Sequence, residues 1–306
     1  MDRGDPIARR NGENMTLRTF KVGAPVLGSL LLLSGWQAAQ AADAAASGVP
    51  ERTTLIDNNK VHITLYTFKT GYERAQPVSR QADQMIVYLD DGAVQPLGQD
   101  RSASGGDCSK ASSDCGPIAP NGKPEAGNAI TRGSVAWHPK GSQAPAVRVT
   151  KGYRALVIDL KHGTMTGPDP AAADLPREPK VGGGAPVKVL IDNDMIRANM
   201  VSFPSGFIRA GGYRRRLDTI IAYVDDAELK DVGPSQQKYD VVQQLSAHPD
   251  AIAECPPIKD CDSVAPDGKW AKGPTVRGTV AWHQQDGYVE RIQIGKNYRA
   301  LYIELK

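Results

Sequence analysis

The chain has 306 residues, of which 40% are hydrophobic, 23% charged and 6% aromatic, and its formal net charge is +3. This composition fits a globular protein with a real hydrophobic core, and it excludes a disordered chain, a coiled coil and a multi-span membrane protein. The small charge is not concentrated in a tail, so we expect no nucleic-acid partner.

The N-terminal segment has the organisation of an export signal. Arg18 and Lys21 lie at the start of a short apolar stretch, 22–36, and the small-residue motif Ala-Gln-Ala ends at Ala41. The stretch is too short for a comfortable membrane span, although an uncleaved anchor is the alternative. We therefore expect a periplasmic or secreted protein with no integral membrane span after signal cleavage.

The cysteines form two closely spaced pairs beyond this signal. They are Cys108 with Cys115 and Cys255 with Cys261. An even number of cysteines in an oxidising compartment favours disulfides. Zinc is the alternative, but the spacings are longer than those of zinc loops and no histidine lies in a matching place. The sequence thus predicts two local disulfides.

The chain contains an internal repeat. Segments 55–92 and 190–227 align without a gap, and the motif Arg-Gly-Ser-Val-Ala-Trp-His at 132–138 returns as Arg-Gly-Thr-Val-Ala-Trp-His at 277–283. The chain is therefore a duplicated domain, and we expect the two copies to pack together. The predicted organisation is a signal peptide 1–41, a linker 42–54, a first domain 55–161, a Gly/Pro-rich linker 162–186 and a second domain 187–306.

The predicted elements are strands. Short β-prone runs such as 85–89 and 220–224 end in acidic turn residues, and glycine and proline interrupt the chain at short intervals. Several short strands with regular turns are typical of an antiparallel sandwich or barrel.

Two motifs in each copy resemble those of the cupin superfamily. In the first copy they are the segment 79–92 and the run Gly-x5-Pro-x-Gly at 133–141, followed by a strand and Tyr-Arg-Ala-Leu. The resemblance covers 55–161 and 190–306. It implies an all-β fold of two tandem double-stranded β-helix, jelly-roll-like barrels, that is, a bicupin.

The resemblance also implies where metal ligands of the family would lie. The positions are Ser79, Gln81, Met85 and Ala144 in the first copy, and Arg214, Arg216, Ile220 and Val289 in the second. None of these side chains is an imidazole or carboxylate of the kind that Fe, Mn, Ni or Zn prefers. We therefore expect no metal and no cofactor.

Two kinds of repeated residue are candidates for acid–base chemistry. His138 and His283 each follow a tryptophan. Some metal-free cupins that act as sugar epimerases pair such a histidine with a tyrosine, and the repeated Tyr88 and Tyr223 are available for this role. The alternative is that the tryptophan packs inside while the histidine caps a turn facing solvent. Asp83 and Asp218 precede an apolar strand, and strand alternation predicts that they face the barrel interior.

The second copy offers a candidate anion site. Alternation places Arg214, Arg216 and Asp218 in the interior and Arg215 on the surface. Tyr223 completes the candidate ligand-binding set. Two arginines can hold a carboxylate, sulfate or sugar acid, and an internal salt bridge is the alternative. We expect an exported protein that binds a small anion or serves structurally. The alternative function is a metal-independent isomerase, epimerase or lyase acting on a sugar or organic acid.

Overall fold

The computed structural model describes residues 48–98, 106–161, 176–231, 261–271 and 274–306. The predicted signal peptide and Cys255 lie outside these residues. The described part consists of strands and turns, with a short 3₁₀ helix at Val181–Gly184. It contains no helix that is long and apolar enough to cross a membrane.

The first repeat forms two main antiparallel sheets. Its large sheet has the strand order β1-β2-β12-β5-β9-β7 and its second sheet the order β3-β11-β6-β8, and β10 pairs with β4. The strands are β1 (Glu51–Asp57), β2 (Val61–Phe68), β3 (Glu73–Arg74), β4 (Val78–Ser79), β5 (Asp83–Tyr88), β6 (Gly92–Pro96), β7 (Cys115–Ile118), β8 (Ala129–Ile130), β9 (Val135–His138), β10 (Gln143–Ala144), β11 (Val147–Lys151) and β12 (Tyr153–Leu160).

The second repeat has the same arrangement. Its large sheet has the order β13-β14-β23-β17-β20-β19, and the smaller groups are β15-β22-β18 and β16-β21. The strands are β13 (Val187–Asp192), β14 (Ile196–Phe203), β15 (Ile208–Arg209), β16 (Tyr213–Arg214), β17 (Thr219–Tyr223), β18 (Leu229–Asp231), β19 (Cys261–Val264), β20 (Val280–His283), β21 (Tyr288–Val289), β22 (Ile292–Ile294) and β23 (Tyr298–Leu305).

The strand order is that of a jelly roll. In the first repeat β2, β5, β9 and β12 belong to the large sheet, while β3, β6, β8 and β11, which lie between them in the chain, belong to the second. The chain therefore crosses repeatedly between two antiparallel sheets, as jelly-roll barrels do. Because both large sheets have the same order, the predicted all-β fold of two tandem barrels is confirmed.

One hydrophobic core contains the outer faces of both large sheets. Met85, Val87 and Trp137 of the first repeat belong to the same buried cluster as Ile220 and Trp282 of the second. Each of these five side chains is fully buried. Burying a side chain of this size stabilises the fold by roughly 1.5–3 kcal/mol, so this shared core is a large part of what holds the chain together.

Each barrel also has a core of its own between its two sheets. In the first, Tyr88, Ala136 and Ala155 of the large sheet pack with Val94 and Ile130 of the second sheet. The corresponding cluster of the second barrel is more aromatic, and it includes Phe203, Tyr223, Tyr298 and Tyr302. Along β5, the odd-numbered side chains thus face the other repeat and the even-numbered ones face the barrel interior.

Reciprocal ion pairs join the repeats at the edge of the shared core. Asp90 accepts two hydrogen bonds from Arg154, with N···O distances of 2.8 and 3.1 Å. It is also 3.1 Å from Arg277 of the second repeat. In the same way Arg132 of the first repeat lies 3.5 Å from Asp225 of the second. Each repeat therefore contributes an arginine to the other's acidic turn.

The structure explains why the repeated Arg-Gly motif contains glycine. Gly133 and Gly278 have φ angles of 90° and 93°, which other residues rarely adopt. A Cβ atom on Gly133 would lie 3.1 Å from Met200 and from Val224 of the second repeat, and one on Gly278 would lie 3.0 Å from Leu89 of the first. The close approach of the repeats thus leaves no room for a side chain here.

Candidate functional site

A row of polar side chains crosses the large sheet inside the first barrel. Asp159 pairs with His62 on one side and Gln84 on the other, and Gln84 pairs with His138. All four residues lie on the interior face, because each is two positions along its strand from another residue that faces the barrel interior. The antiparallel register therefore collects polar groups from four strands at one level of the barrel.

Arg80 joins this row from the segment that links β4 to β5. Its Nη1 donates to Gln84 Oε1 at 2.7 Å, and Gln84 Nε2 donates to Asp159 Oδ1 at 2.7 Å. Its Nε is buried and has no hydrogen-bond partner among the described residues. A buried guanidinium nitrogen without a partner is costly, so Arg80 retains the capacity to bind a further acceptor.

His138 is held by a carboxylate from a disulfide-closed loop. Its Nδ1 lies 2.5 Å from Asp114 Oδ1, and Asp114 precedes Cys115, which is disulfide-bonded to Cys108. This confirms the first of the two predicted disulfides. Burial lowers the pKa of His138, and the positive charge of Arg80 acts in the same direction, although Asp114 opposes both. His138 is therefore largely neutral near pH 7, and an Nδ1–H donated to Asp114 leaves Nε2 as an acceptor.

Below this row the barrel is aromatic. The rings of Tyr88 and Tyr153 are 5.7 Å apart, and that of Phe68 is 5.0 Å from Tyr153. Burial raises the pKa of Tyr88 to about 12, while the positive charges of Arg80 and Arg74 act against this rise. Tyr88 therefore keeps its proton at neutral pH.

The second barrel repeats the key residues of the first. The sequence alignment matches Arg74, Arg80, Tyr88, Tyr153 and His138 with Arg209, Arg215, Tyr223, Tyr298 and His283.

The first of these arginines donates to an equivalent backbone carbonyl in both barrels, since Arg74 Nε donates to Pro145 O at 2.9 Å, and in the second barrel it has a further side-chain partner. Arg209 Nη1 donates to the hydroxyl of Tyr302 at 3.3 Å and its Nη2 to the carbonyl of Glu290 at 2.9 Å. Glu304 accepts a hydrogen bond from Asn199 at 3.0 Å. Burial raises the pKa of Glu304, although this hydrogen bond favours its ionised form.

The two interiors differ in how open they are. The equivalent residues of the second barrel are only 2 to 6% exposed, whereas those of the first are all partly exposed. The compared pairs are Arg80 and Arg215, Gln84 and Thr219, Ile86 and Ile221, Val157 and Tyr302, and Asp159 and Glu304. Tyr302 takes the place of a valine and Glu304 that of an aspartate, although Thr219 is smaller than Gln84. At these positions the first barrel is the more accessible one, whereas the sequence placed the candidate anion site in the second.

The side chains before the fifth strand of each repeat face the opposite way from the expectation. Ser79 and Gln81 are exposed, and Met85 lies in the core between the repeats. Likewise Arg216 is exposed whereas Arg215 is 2% exposed, the opposite of what was expected. Arg80 and Gln84 have the same parity and both face the barrel interior, so alternation holds and the interior positions implied by the family motif are displaced by one residue.

The other residues of the expected anion site do not lie together in the barrel interior. Arg214 is partly exposed and its Nε lies 3.6 Å from Asp286. Asp218 lies 3.4 Å from Lys60 of the first repeat and accepts a hydrogen bond from the backbone N–H of Gln285 at 2.7 Å. Only Tyr223 belongs to the interior of the second barrel.

The repeated aspartates have one structural role in common. Asp83 accepts a hydrogen bond from the backbone N–H of Lys140 at 2.8 Å, and Lys140 is the counterpart of Gln285, which donates to Asp218. Both aspartates therefore fix the turn that follows the Trp-His strand. Neither reaches the barrel interior, which corrects the expectation from alternation.

The Trp-His pair is oriented differently from the expectation. Trp137 and Trp282 are fully buried, but in the core between the repeats. His138 lies on the opposite face of its strand and is 8% exposed. The expectation that this histidine faces solvent is therefore wrong, because the tryptophan side of the strand is the outside of the barrel.

The remaining positions implied by the cupin motifs supply no metal site. Ala144 is buried, and both Ile220 and Val289 are fully buried. Within the described ranges, no group of three or more His, Cys, Asp or Glu side chains is arranged to hold a metal ion.

Three residues of this site were not predicted from the sequence: Arg80, Gln84 and Asp114. The signal for two of them was present, because Arg80 recurs as Arg215 and the dipeptide Asp114-Cys115 recurs as Asp260-Cys261. Asp260 lies outside the described residues. Gln84 carries no such signal, since threonine replaces it in the second repeat.

Comparison with known proteins gives matches among solved structures. No family model and no curated protein matches the chain. A cupin 2 conserved barrel domain protein from Leptotrichia buccalis matches with 10% identity, over 84% of this chain and 89% of its own, at a TM-score of 0.42. AerE from Microcystis aeruginosa matches with 8% identity over 85% and 98%, at a TM-score of 0.43.

A third match is oxalate decarboxylase from Bacillus subtilis, a protein with Mn(II) centres. It shares 8% identity over 83% of this chain and 72% of its own, at a TM-score of 0.40. The solved structures to which this chain is similar thus include cupin-domain proteins, the superfamily that the sequence motifs resemble.

Proposed function

We propose that the protein binds a small organic anion, a carboxylate or sugar acid, inside the first barrel. The observation that carries this proposal is the contrast between two interiors with the same arginines. In the second barrel Arg209 and Arg215 are only 5% and 2% exposed, whereas in the first barrel Arg80, the counterpart of Arg215, is partly exposed. A partly exposed guanidinium is a suitable partner for a carboxylate.

The surroundings of Arg80 support an anion with several polar groups. The amide of Gln84 and the imidazole of His138 lie at the same level of the sheet, where they can bind hydroxyl groups. The aromatic rings below them offer an apolar surface for a carbon skeleton. A small hydroxylated carboxylate combines these features.

The test is isothermal titration calorimetry with acetate, gluconate and glucuronate. We expect Arg80→Ala to raise the Kd at least tenfold, because a hydrogen bond to a charged group contributes about 1.5–3 kcal/mol. The control is Arg148→Ala, which removes the same charge from an exposed arginine that is paired with Glu73. The proposal is wrong if the wild type binds none of the three anions, or if both variants bind like the wild type.

A second candidate function is metal-independent acid–base catalysis on such an anion. The observation that favours it is the contact between His138 and Asp114, which leaves a neutral imidazole nitrogen available as a base. In an isomerase, epimerase or lyase, Nε2 would take a proton from the carbon next to the carboxylate. Proton NMR in D2O detects this as deuterium incorporation at that carbon. We expect His138→Gln to slow the exchange at least a hundredfold, and exchange that is absent from the wild type excludes this candidate.

We also propose that the protein is exported and that its two repeats form one structural unit. The disulfide between Cys108 and Cys115 supports an oxidising compartment, and the shared core supports the packing of the two repeats. Fractionation of cells followed by N-terminal sequencing tests the first point. We expect an exported protein that begins at Ala42, and an uncleaved cytosolic product would contradict this.

A further inference from the structure

The chain between the two repeats covers one end of the second barrel. Residues 176–178 lie alongside β16, where Arg214 N–H donates to Pro176 O at 2.9 Å and Glu178 N–H donates to Arg214 O at 2.8 Å. Farther along, the 3₁₀ helix packs so closely that a Cβ atom on Gly183 would lie 2.6 Å from the side chain of Arg209. We call residues 176–185 the cover segment.

The cover segment brings a carboxylate into the second barrel. Glu178 is only 6% exposed, and its Oε1 has no hydrogen-bond partner among the described residues. Its negative charge acts on Arg209 and on Glu304, which both belong to the barrel interior. A buried carboxylate is costly unless positive charge compensates it.

The positive charge on which Glu178 acts is that of Arg209, and Arg215 is a second buried arginine of the same repeat. Arg209 and Arg215 are 5% and 2% exposed, and in the described part of the chain the Nε atom of each has no hydrogen-bond partner. Buried donors on the arginines thus face the same interior as a buried acceptor on Glu178.

We propose that the second barrel is a latent carboxylate site that the chain keeps closed with Glu178, an acidic group of its own cover segment. The ligand class of this site is a small monocarboxylate. The inference goes beyond the proposed function, because it concerns the second barrel and does not require that the first barrel binds anything.

The substitution Glu178→Ala tests this by chemical complementation. It removes the side chain beyond Cβ, a CH2 group and a carboxylate, which acetate replaces almost atom for atom. The experiment is carried out in an Arg80→Ala background, so that binding in the first barrel does not contribute. We expect one acetate per chain, with a Kd in the millimolar range, and a melting temperature that rises with acetate. Acetamide, which has the same size without the charge, and sodium chloride at equal ionic strength should have no such effect.

The matched control is Glu228→Ala, which removes an exposed glutamate of the same repeat. It should not acquire acetate binding. If Glu178→Ala binds acetate no better than this control, the inference is wrong, even if the first barrel binds anions as proposed. Acetate binding by Glu178→Ala supports the inference even if the wild type binds nothing.

A second variant covers the case in which Glu178→Ala is unstable. Glu178→Gln retains the shape of the side chain without its charge, and we expect it to unfold at lower urea concentration than the wild type at pH 7. Equal stability would overturn the inference, because the negative charge of the carboxylate would then not stabilise the buried arginines. Failure of Glu178→Ala to fold both with and without acetate would also count against it, whereas folding only with acetate would support it.

Discussion

The ion pairs between the repeats allow a quantitative prediction about Asp90. Its carboxylate receives two hydrogen bonds from the guanidinium of Arg154 and one from the backbone N–H of Arg154, within the repeat, and one contact from Arg277 across the interface. The three side chains are 25 to 32% exposed, so solvent screens them only in part. Burial alone would raise the pKa of Asp90, but the two arginines outweigh it and lower the pKa.

We expect Asp90→Asn to reduce the free energy of unfolding by about 2 kcal/mol, since hydrogen bonds to charged groups contribute about 1.5–3 kcal/mol. The control is Glu73→Gln, which breaks the exposed pair with Arg148 and should cost about 0.5 kcal/mol or less. Urea unfolding at pH 7 measures both values.

A double-mutant cycle separates the contact across the interface from the pair within the repeat. We expect a coupling energy of about 1 kcal/mol between Asp90→Asn and Arg277→Gln. Because the folded pKa of Asp90 is lowered, its contribution is complete above the unfolded value near 3.9 and is lost as the pH falls through the folded pKa. Coupling below about 0.3 kcal/mol, or an Asp90→Asn cost equal to that of the control, would refute the argument that this interface is held by charge.

Three further predictions follow from the fold. Gly278→Ala should be more destabilising than Gly206→Ala by at least about 1 kcal/mol in thermal unfolding. Both glycines have a positive φ, but only at Gly278 would a Cβ meet the other repeat. Reduction of the bond between Cys108 and Cys115 should lower stability by roughly 2–3 kcal/mol on the chain-entropy model, and a serine double variant should show the same loss without reductant. Because burial lowers the pKa of His138, its stabilising contribution is present above about pH 6.5 and lost as the pH falls towards the folded pKa, which a His138→Gln variant should abolish in pH-dependent urea titrations.

The sequence predicted the strands and the duplication because both are local or repeated signals. The Arg-Gly motif at 132–138 and 277–283 identifies equivalent strands directly, and the structure gives them equal places in the two large sheets. The prediction that was wrong is the direction of side chains inferred from the spacing of residues in the motif. The positions implied by the cupin motif placed Met85 in the barrel, but the residues that face the interior are displaced from those positions by one.

The candidate site was only partly predictable for a related reason. His138 and Tyr88 were visible as repeated residues, and both lie in the barrel interior. Asp114 was not associated with His138, because they are far apart in the chain and only the pairing of β7 with β9 brings their strands together. Openness of an interior is also invisible in a sequence, since it depends on how larger residues such as Tyr302 occupy space among their neighbours.

The shared core imposes unequal freedom on the two sides of each large sheet. On the outer side residues of both repeats pack in one core, and both copies have retained tryptophan, glycine and the aspartate–arginine pairs there. On the inner side the repeated arginines, tyrosines and histidine are retained as well, but other positions differ, and valine in one copy corresponds to tyrosine in the other. In a duplicated chain of this kind, substitutions inside the barrels can therefore give the two copies different roles, with one copy open to a ligand and the other mainly structural.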